Sequence, residues 1–161
     1  MKPKVLVIIP DSNKELHTWL QGVFELKLIA DIKFREAAWQ NELTGGHDDW
    51  NTVTELLNEE WQEYDGFIIW APEESVLTLA GYLSLVLDTP GKPIVTFQAP
   101  SPSGLNKNPL LELGLKSQLI KSAYLASSEI AEVSLLHGDQ VFRPWQCHWV
   151  ETDEKTILQS I

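Results

Sequence analysis

The sequence contains a single cysteine, Cys147, and few basic residues. One cysteine cannot form an internal disulfide, and this low usage is typical of proteins kept in a reducing cytoplasm. The 161 residues include 12 Lys and Arg against 23 Asp and Glu, a formal net charge of −11. This charge repels phosphate backbones and anionic lipid, and Arg35 and Arg143 are the only arginines that could grip a phosphate with two nitrogens. We therefore expect an acidic, cytoplasmic protein that binds neither nucleic acid nor a membrane.

Long apolar runs and glycine-rich turns are also missing. No run approaches the roughly 18 apolar residues of a membrane helix. Lysines precede the run Val5–Ile9, as in a signal peptide, but the run is too short and no small-residue cleavage site follows it. The lack of a glycine-rich turn after Val5–Ile9 argues against a flavodoxin-like or other nucleotide-binding module. At 161 residues, the sequence is expected to form one domain with a continuous core.

Strand and helix patterns alternate along the sequence from Val5 to His137. This alternation predicts an α/β fold: a doubly wound, mainly parallel sheet of the Rossmann or flavodoxin type, with helices on both faces and right-handed crossovers. The predicted strands are Val5–Ile9, Ile29–Glu36, Phe67–Trp70, Pro93–Phe97 and Ala131–His137. The predicted helices are Ser12–Leu26, Asp49–Glu63, the segment from the turn Ala71–Ser75 to Leu87, and Pro109–Leu125.

The residues after His137 are predicted to form a short C-terminal β-hairpin. Gly138-Asp139 is typical of a tight turn, and Gln140–Arg143 and Gln146–Glu151 are short strand candidates. The last ten residues are polar and are expected either to form a short helix or to fray. Three aromatic residues of these late strands either fill the core or form an interface. They are Phe142, Trp145 and Trp149.

The helix that ends at Leu87 is apolar nearly all round. A helix of this kind is buried on more than one side, so that either another layer of the fold or a partner subunit covers it. We therefore expect a homo-oligomer or a complex with a protein partner.

Ligands of doubly wound sheets bind beyond the carboxyl ends of the strands. Two capping signals flank this edge: Ser12 with Glu15 fits a capping box, and Asn108-Pro109 fits an N-cap followed by proline. The segments expected at this edge are Pro10–Asn13, Trp39–Asp49, Trp70–Ser75 and Gln98–Ser103.

Several stretches resemble the N-terminal domain of the bacterial-type L-asparaginases. They are KPKVLVII, ELKLIADIKF, DDWNTVTELLNEEWQEYDGFII, YLSLVLDTPGKPIVTFQAPSP, NPLLELGLKSQ and GDQVFR. Their order and spacing agree with that domain over nearly all 161 residues. The family continues into a second, smaller α/β domain, and this sequence ends before it. The resemblance implies that residues 1–161 form a single asparaginase N-terminal-like domain without the second one.

The resemblance also locates the family's reactive groups, which this sequence replaces. The family has a TGGTI-type segment with a threonine nucleophile after the first strand, and Asn13 stands at that nucleophile position. After the third strand, an HGTDT-type segment supplies a second threonine and an aspartate that holds the substrate amino group. Here Glu73 replaces that threonine, Glu74 replaces the aspartate, and Ser75 matches the motif's last threonine.

Two further groups of the family have no counterpart. No lysine lies in Arg143–Trp149, where the resemblance implies the general base, and Asn41–Thr44 offers no clear substrate-carboxylate serine. Amide hydrolysis by this route needs a hydroxyl nucleophile, a base and an oxyanion site. An asparagine side chain cannot attack, and Glu73 brings a negative charge where a hydroxyl polarised the amide. The resemblance therefore implies a pseudoenzyme with no catalytic residues, which acts by small-ligand binding or protein association.

Six residues are candidates for binding a small amino-acid-like ligand in this cleft. They are Asp11, Ser12, Asn13, Glu73, Glu74 and Ser75. Four of them also have a structural explanation, because Ser12 and Ser75 fit helix caps and Glu73-Glu74 complement a helix N-terminus. The alternative function is a divergent amidohydrolase or another enzyme that uses the same cleft.

No cofactor and no metal site are expected. The four histidines are scattered and share no ligand spacing. Cys147 and His148 are adjacent, so in a strand their side chains face opposite ways.

Overall fold

The computed structural model describes residues 1–10, 14–37, 47–72, 75–99, 108–152 and 156–161. Part of the predicted capping box, at Ser12, lies outside these ranges. The same holds for the segment Asn41–Thr44 and for five of the six predicted ligand-binding residues. No helix in the described ranges is long and apolar enough to cross a membrane.

Two sheets make up the β-structure of the described residues. The main sheet has six strands in the order β2-β1-β3-β4-β5-β6. Its first five strands are parallel and β6 is antiparallel to β5, while β7 and β8 form a separate antiparallel pair. The strands are β1 (Lys4–Pro10), β2 (Asp31–Ala37), β3 (Gly66–Pro72), β4 (Ile94–Ala99), β5 (Val133–His137), β6 (Gln140–Phe142), β7 (Cys147–Glu151) and β8 (Thr156–Ser160).

Helices cover both faces of the main sheet, which confirms the predicted doubly wound α/β fold. They are α1 (Lys14–Gly22), α2 (Leu26–Ile29), α3 (His47–Glu60), α4 (Val76–Val86), α5 (Pro109–Ala126) and a 3₁₀ helix (Pro144–Gln146). One face packs under α1, α2 and α5, and the other under α3, α4 and the β7–β8 pair.

The core residues follow from the apolar strand runs. In β1, Val5, Val7 and Ile9 face the α1–α5 side, whereas Leu6 and Ile8 face the α3–α4 side, and all five are at most 1% exposed. Full burial of such a side chain contributes about 1.5–3 kcal/mol. The central strands therefore supply the hydrophobic contacts of both layers, as expected for a parallel sheet.

One crossover departs from the prediction that all are right-handed. The β3–β4 and β4–β5 connections step in the same direction across the sheet, yet α4 lies on one face and α5 on the other. The β4–α5–β5 crossover therefore has the hand opposite to that of β3–α4–β4. Since about 98% of such crossovers are right-handed, we assign the left hand to β4–α5–β5. Residues 73–75 join β3 to α4, whereas the longer segment 100–108 joins β4 to α5, and this length gives the chain room to reach the other face.

The first predicted helix is wrong in its C-terminal part. It was expected to continue to Leu26, but α1 ends at Gly22 and a separate turn of helix, α2, begins at Leu26. Glycine is a poor helix former, which explains the interruption. Phe24 is 62% exposed and lies under the Lys116 ammonium, 5.7 Å from the ring centroid. Leu16 and Leu20 of α1 are buried.

The C-terminal residues form a strand rather than the predicted helix or frayed end. Thr156–Ser160 pairs with β7, with Trp149 opposite Leu158. Leu158 is 7% exposed and contributes to the α3–α4 side of the core, and this burial stabilises the strand. The hairpin predicted at Gly138-Asp139 is confirmed between β5 and β6, and Gly138 adopts a φ of 60°, which favours glycine.

The three late aromatic residues have different environments. Phe142 and Trp149 are half-buried against the α3–α4 side of the core. The Trp149 ring contacts the His137 ring edge-on, with 5.3 Å between the two ring centroids. Trp145 was predicted to lie in one of the late strands. It lies instead in the 3₁₀ helix and is 63% exposed. Pro144 at the first helical position favours this turn.

The apolar helix α4 is covered mainly by other layers of the same chain. Its buried residues Val76, Leu79, Ala80 and Leu83 share one cluster with α3 and the sheet. On its flank, the Tyr82 hydroxyl donates a hydrogen bond to Asn51 Oδ1 at 3.0 Å. Leu85 and Val86, at the C-terminal end, stay 79% and 49% exposed. Packing against other parts of the same chain therefore covers most of the apolar surface of α4. Among the described residues, the apolar part of α4 left exposed for a partner is its C-terminal end.

Side chains complete two helix ends. Asn108 accepts hydrogen bonds from the N–H groups of Leu110 and Leu111, at 3.1 and 3.4 Å, which confirms the predicted N-cap of α5. Lys92 donates from Nζ to the carbonyl oxygens of Trp61 and, at 2.7 Å, Tyr64, just beyond α3. A cation at this position stabilises the helix dipole.

Candidate functional site

Four parallel strands end side by side at the carboxyl edge of the main sheet. Pro10 at the end of β1 is in register with Ala37 of β2, and Pro72 of β3 is in register with Ala99 of β4. β1 and β3 are neighbours, so the four ends form one continuous edge. The predicted ligand segments follow these ends directly, and the helices that return from them begin at the same edge. The fold thus places the strand ends from which the predicted segments continue along one side of the molecule.

The strand order reverses between β1 and β3. From β1 the chain steps outward to β2 and then returns across β1 to β3 and onward to β4. In open α/β sheets the crevice outside the strand ends at such a reversal is the usual ligand position. Residues 11–13 follow β1 and residues 73–74 follow β3. These segments carry Asp11, Ser12 and Asn13 on one side and Glu73 and Glu74 on the other. Five of the predicted site residues lie outside the described residues but next to this reversal.

Ser75 is the sixth predicted site residue and the only one that the structure describes. It is 2% exposed and precedes α4, and its carbonyl oxygen accepts from Leu79 N–H at 2.8 Å. It therefore occupies the N-cap position, as predicted, but its side chain makes no capping bond. Its φ of −110° and ψ of −9° are helical, unlike the usual cap conformation. The hydroxyl instead donates to the Pro72 carbonyl oxygen at 3.4 Å.

Gln98 places an amide at the same edge. It lies in β4, where it is in register with Ala71 of β3. Phe97 faces the α1–α5 side of the sheet, so Gln98 faces the α4 side. Its Oε1 atom is buried and accepts no hydrogen bond from the described residues. A buried acceptor without a donor costs about 1–3 kcal/mol, so a ligand N–H at this point would be favourable.

Asp49, the last residue of the predicted segment Trp39–Asp49, is a buried carboxylate near this edge. It lies in the first turn of α3 and is 2% exposed. A negative charge here is stabilised by the positive end of the helix dipole. Its acidic type in a first helical turn is a visible sequence signal, but its burial depends on how α3 packs and could not be found from the sequence.

The segment Arg143–Trp149, where the resemblance implies a general base, begins near the amino end of β5, where Arg143 donates from Nε to Glu132 Oε2 at 3.0 Å. Cys147 is buried and donates from Sγ to the Pro144 carbonyl oxygen at 3.4 Å, while the next residue, His148, is exposed. The opposite orientation predicted for these two side chains is confirmed. Burial raises the pKa of the Cys147 thiol, so this thiol is a poor nucleophile near neutral pH.

Comparison with known proteins supports the fold and the resemblance. No protein-family model matches the sequence. A stretch of 99 residues, 60% of this chain, is 28% identical to L-asparaginase 1 of Escherichia coli K12 and to L-asparaginase 1 of Escherichia coli O157:H7. The fold is similar to that of L-asparaginase I from Vibrio cholerae, with a TM-score of 0.80 and 14% sequence identity, over 99% of this chain.

These similarities establish an asparaginase-like fold with remote sequence similarity to L-asparaginase. The predicted resemblance is confirmed at that level. The aligned region covers 27% of the length of each Escherichia coli protein, and the structural match covers 51% of the Vibrio chain. The likeness therefore concerns part of each relative, and by itself it assigns no activity to this chain.

Proposed function

We propose that this chain is a catalytically inactive asparaginase-like domain that binds a small amino-acid-like ligand at the carboxyl edge of its sheet. The observation that carries the proposal is the strand reversal between β1 and β3, because residues 11–13 follow β1 and residues 73–75 follow β3 in the sequence, and ligands of open α/β sheets usually bind at such a reversal. Their side chains are acidic, amide and hydroxyl groups, which bind the amino and amide groups of such a ligand.

The described residues add complementary groups at that edge. The N-termini of α3 and α4 begin there and favour a ligand carboxylate. The Gln98 Oε1 atom provides an acceptor for a ligand N–H group. A zwitterionic amino acid offers both kinds of group on a small frame, whereas a phosphate ester would lack the donors and meet a strongly acidic chain.

Loss of hydrolysis follows from the residue types in the crevice. Asn13 stands where the resemblance implies the nucleophile, and an amide cannot form an acyl intermediate. Glu73 brings an acceptor-only carboxylate to a position that must stabilise a developing oxyanion. Replacing several such groups together lowers the rate of hydrolysis by orders of magnitude.

Thermal unfolding in the presence of Asn, Asp, Gln and Glu tests binding, and ammonia release from Asn and Gln tests hydrolysis. At a concentration near 100 times Kd, a ligand that binds only the folded chain adds about 2.7 kcal/mol of stability. We expect a shift with at least one of the four amino acids and no ammonia above the blank. A chain that no amino acid stabilises contradicts the binding proposal.

Variants locate the site and separate the alternative function. Glu74→Gln should remove the thermal shift, and Glu151→Gln, an exposed change in β7, should keep it. If the wild-type chain releases ammonia and Glu74→Gln abolishes that release, the result would instead support a divergent amidohydrolase in the same crevice.

We further propose that the chain associates with another protein. The exposed apolar residues Leu85 and Val86 at the end of α4 support association. Sedimentation at micromolar concentration, alone and with candidate partners, tests it. A chain that stays monomeric and copurifies with nothing contradicts this part of the proposal.

A further inference from the structure

A groove runs along one end of the main sheet, far from the β1–β3 reversal. It has a volume of about 720 Å³ and lies between β6 and β8. Gln140–Phe142 of β6 line one wall, and Leu158–Ser160 of β8 line the other. β4 and β5 separate β6 from the strands of the candidate ligand crevice. The groove is therefore a second site with its own chemistry.

Strand edges, rather than sheet faces, form the walls of this groove. Successive side chains of a strand point to opposite faces, yet three consecutive residues of each strand line the same space. β6 is the last strand of the main sheet in the described part of the chain, and β8 pairs there with β7 alone. The Ile161 N–H donates to the Gln146 carbonyl oxygen at 2.7 Å, on the β7 side of β8. The other edge of β8 has no strand partner among the described residues, and neither has the outer edge of β6.

The two ends of the main sheet differ in their protection. The terminal strand β2 carries charges at Asp31, Lys33, Arg35 and Glu36, and charged residues on an edge strand discourage the addition of another strand. β6 has the sequence Gln-Val-Phe without a charge, and Val141 is 50% exposed. The β6 end is the one that can accept a further strand.

The groove has the charge and polarity of a peptide-binding site. Its two charged residues, Arg143 and Glu132, form an ion pair at 3.0 Å, so their charges cancel. Amide side chains at Gln140, Gln146 and Gln159 both donate and accept, as main-chain amides do. An uncharged polypeptide main chain matches this lining, while phosphate or nucleic acid lacks a cationic partner. Two copies of the chain, each with a formal charge of −11, repel one another.

We propose that the groove between β6 and β8 binds an extended segment of a partner protein by strand addition. Unpaired N–H and C=O groups of β6 and β8 bind the main chain of the segment, as in other cases of strand addition. Half-exposed Val141 and nearly buried Leu158 contact alternate apolar side chains of the segment. This inference specifies the protein association proposed above and does not depend on amino-acid binding at the crevice.

A phage-displayed library of random decapeptides is the probe, followed by synthesis of the recovered peptides. We expect sequences with alternating apolar residues. N-methylation of either alternate set of residues, which removes the N–H donors toward β6 or those toward β8, should weaken binding by roughly tenfold or more. Because the protein is unchanged in this comparison, its folding does not affect the result. Peptides that tolerate both methylation patterns would overturn the proposal.

Two variants of β6 locate the binding. Val141→Pro removes an N–H group at the edge and should abolish peptide binding, whereas Val141→Thr keeps that N–H group, loses only part of an apolar contact and should weaken binding by less than about tenfold. Both variants should retain the thermal shift with amino acids, so that failure at the groove is distinguished from failure at the crevice. Three results would contradict a partner-protein segment as the occupant of the groove. They are recovery of no peptide, peptide binding that Val141→Pro does not change, and a self-dimer that Val141→Pro abolishes.

Discussion

The carbonyl oxygen of Ala126, at the end of α5, lies against the backbone of Gly66 at the start of β3. A Cβ atom on Gly66 would come within 1.9 Å of that oxygen and 3.2 Å of Pro93 Cγ. The contact brings a helix end and two strands together at the amino edge of the sheet. Only a residue without a side chain fits there.

Replacement of Gly66 by alanine should therefore destabilise the fold strongly. The obstacle is backbone rather than a flexible side chain, so β3 or α5 must move, and we expect a loss of more than about 3 kcal/mol. Gly81→Ala is the matched control, because nothing lies within 4 Å of its added Cβ inside α4. That change should stabilise the chain by about 0.5–1 kcal/mol. Urea unfolding of both variants measures the difference, and equal stabilities would contradict the contact.

Lys92→Met should destabilise the chain by about 1–3 kcal/mol. The ammonium group of Lys92 binds the carbonyl oxygens of Trp61 and Tyr64 and lies 5.3 Å from the Trp61 ring centroid. Methionine keeps most of the apolar stem but removes hydrogen bonds made by a charged donor. Lys33→Met, at an exposed position of β2, should change stability by less than about 0.5 kcal/mol. A comparable loss in both variants by urea unfolding would refute the capping role.

Ser122→Ala should leave stability unchanged or raise it by about 1 kcal/mol. Ser122 is fully buried in α5, and its hydroxyl has no hydrogen-bond partner among the described residues. Removal of an unpaired buried hydroxyl relieves a desolvation cost, and alanine is the better helix former. In the comparison variant Ser84→Ala, the lost hydroxyl donates to the Ala80 carbonyl oxygen at 2.8 Å. Calorimetry should rank Ser122→Ala above Ser84→Ala, and the reverse order would show that Ser122 has a partner.

Acid should destabilise the chain through carboxylates paired with lysines. Hydrogen bonds from the Lys116 and Lys4 ammonium groups hold the pKa values of Glu25 and Glu63 below the ordinary 4.5. A lowered pKa in the folded chain gives stability that is present above pH 4.5 and is lost as the pH falls through the folded-state pKa. Asp139, beside Lys121, behaves in the same way from its ordinary value of 3.8.

The pH dependence can be assigned with one variant. Lys116→Met should make the Tm fall less steeply between about pH 5 and pH 3, because it removes the largest cause of the lowered Glu25 pKa. Lys33→Met should leave the slope as in the wild type. A slope that Lys116→Met does not change would exclude this pair as a source of acid sensitivity.

Cys147 should react slowly with thiol reagents at neutral pH. Its side chain is buried and its pKa is raised by that burial, so the thiolate that reacts is scarce. Modification should become fast when the chain is unfolded in urea, and absorbance of a released thiol chromophore measures both rates. Equal rates in the two states would show that the β7–β8 pair does not protect the residue.

Local sequence patterns predicted those strands and helix ends that are specified by their own residues. The β-branched run Val5–Ile9 is a buried central strand, and Asn108-Pro109 begins α5 with the expected cap. Predictions that depend on distant packing were less accurate. Thr156–Ser160 is a strand because β7 lies beside it, and the sequence of these five residues does not specify that partner. The hand of the β4–β5 crossover likewise depends on which face α5 covers.

The sequence predicts which strand ends could flank a ligand but not how they are arranged. The parallel strands and the ends of β1 and β3 follow from the alternating pattern, whereas the strand order that makes β1 and β3 neighbours does not. The buried state of Asp49 and the unpaired Gln98 Oε1 atom depend on the packing of α3 and α4. Short-range patterns carry no information on such contacts, because the contacting residues are far apart in the chain.

The unequal ends of the main sheet also bear on how the chain behaves at high concentration. Charges at Asp31, Lys33, Arg35 and Glu36 oppose the stacking of one sheet onto the next through β2. Open-ended growth of a sheet needs two compatible edges, and the charged β2 end does not meet that condition. Because its two edges differ in this way, the chain can accept one strand at β6 and still resist polymerisation into fibrils.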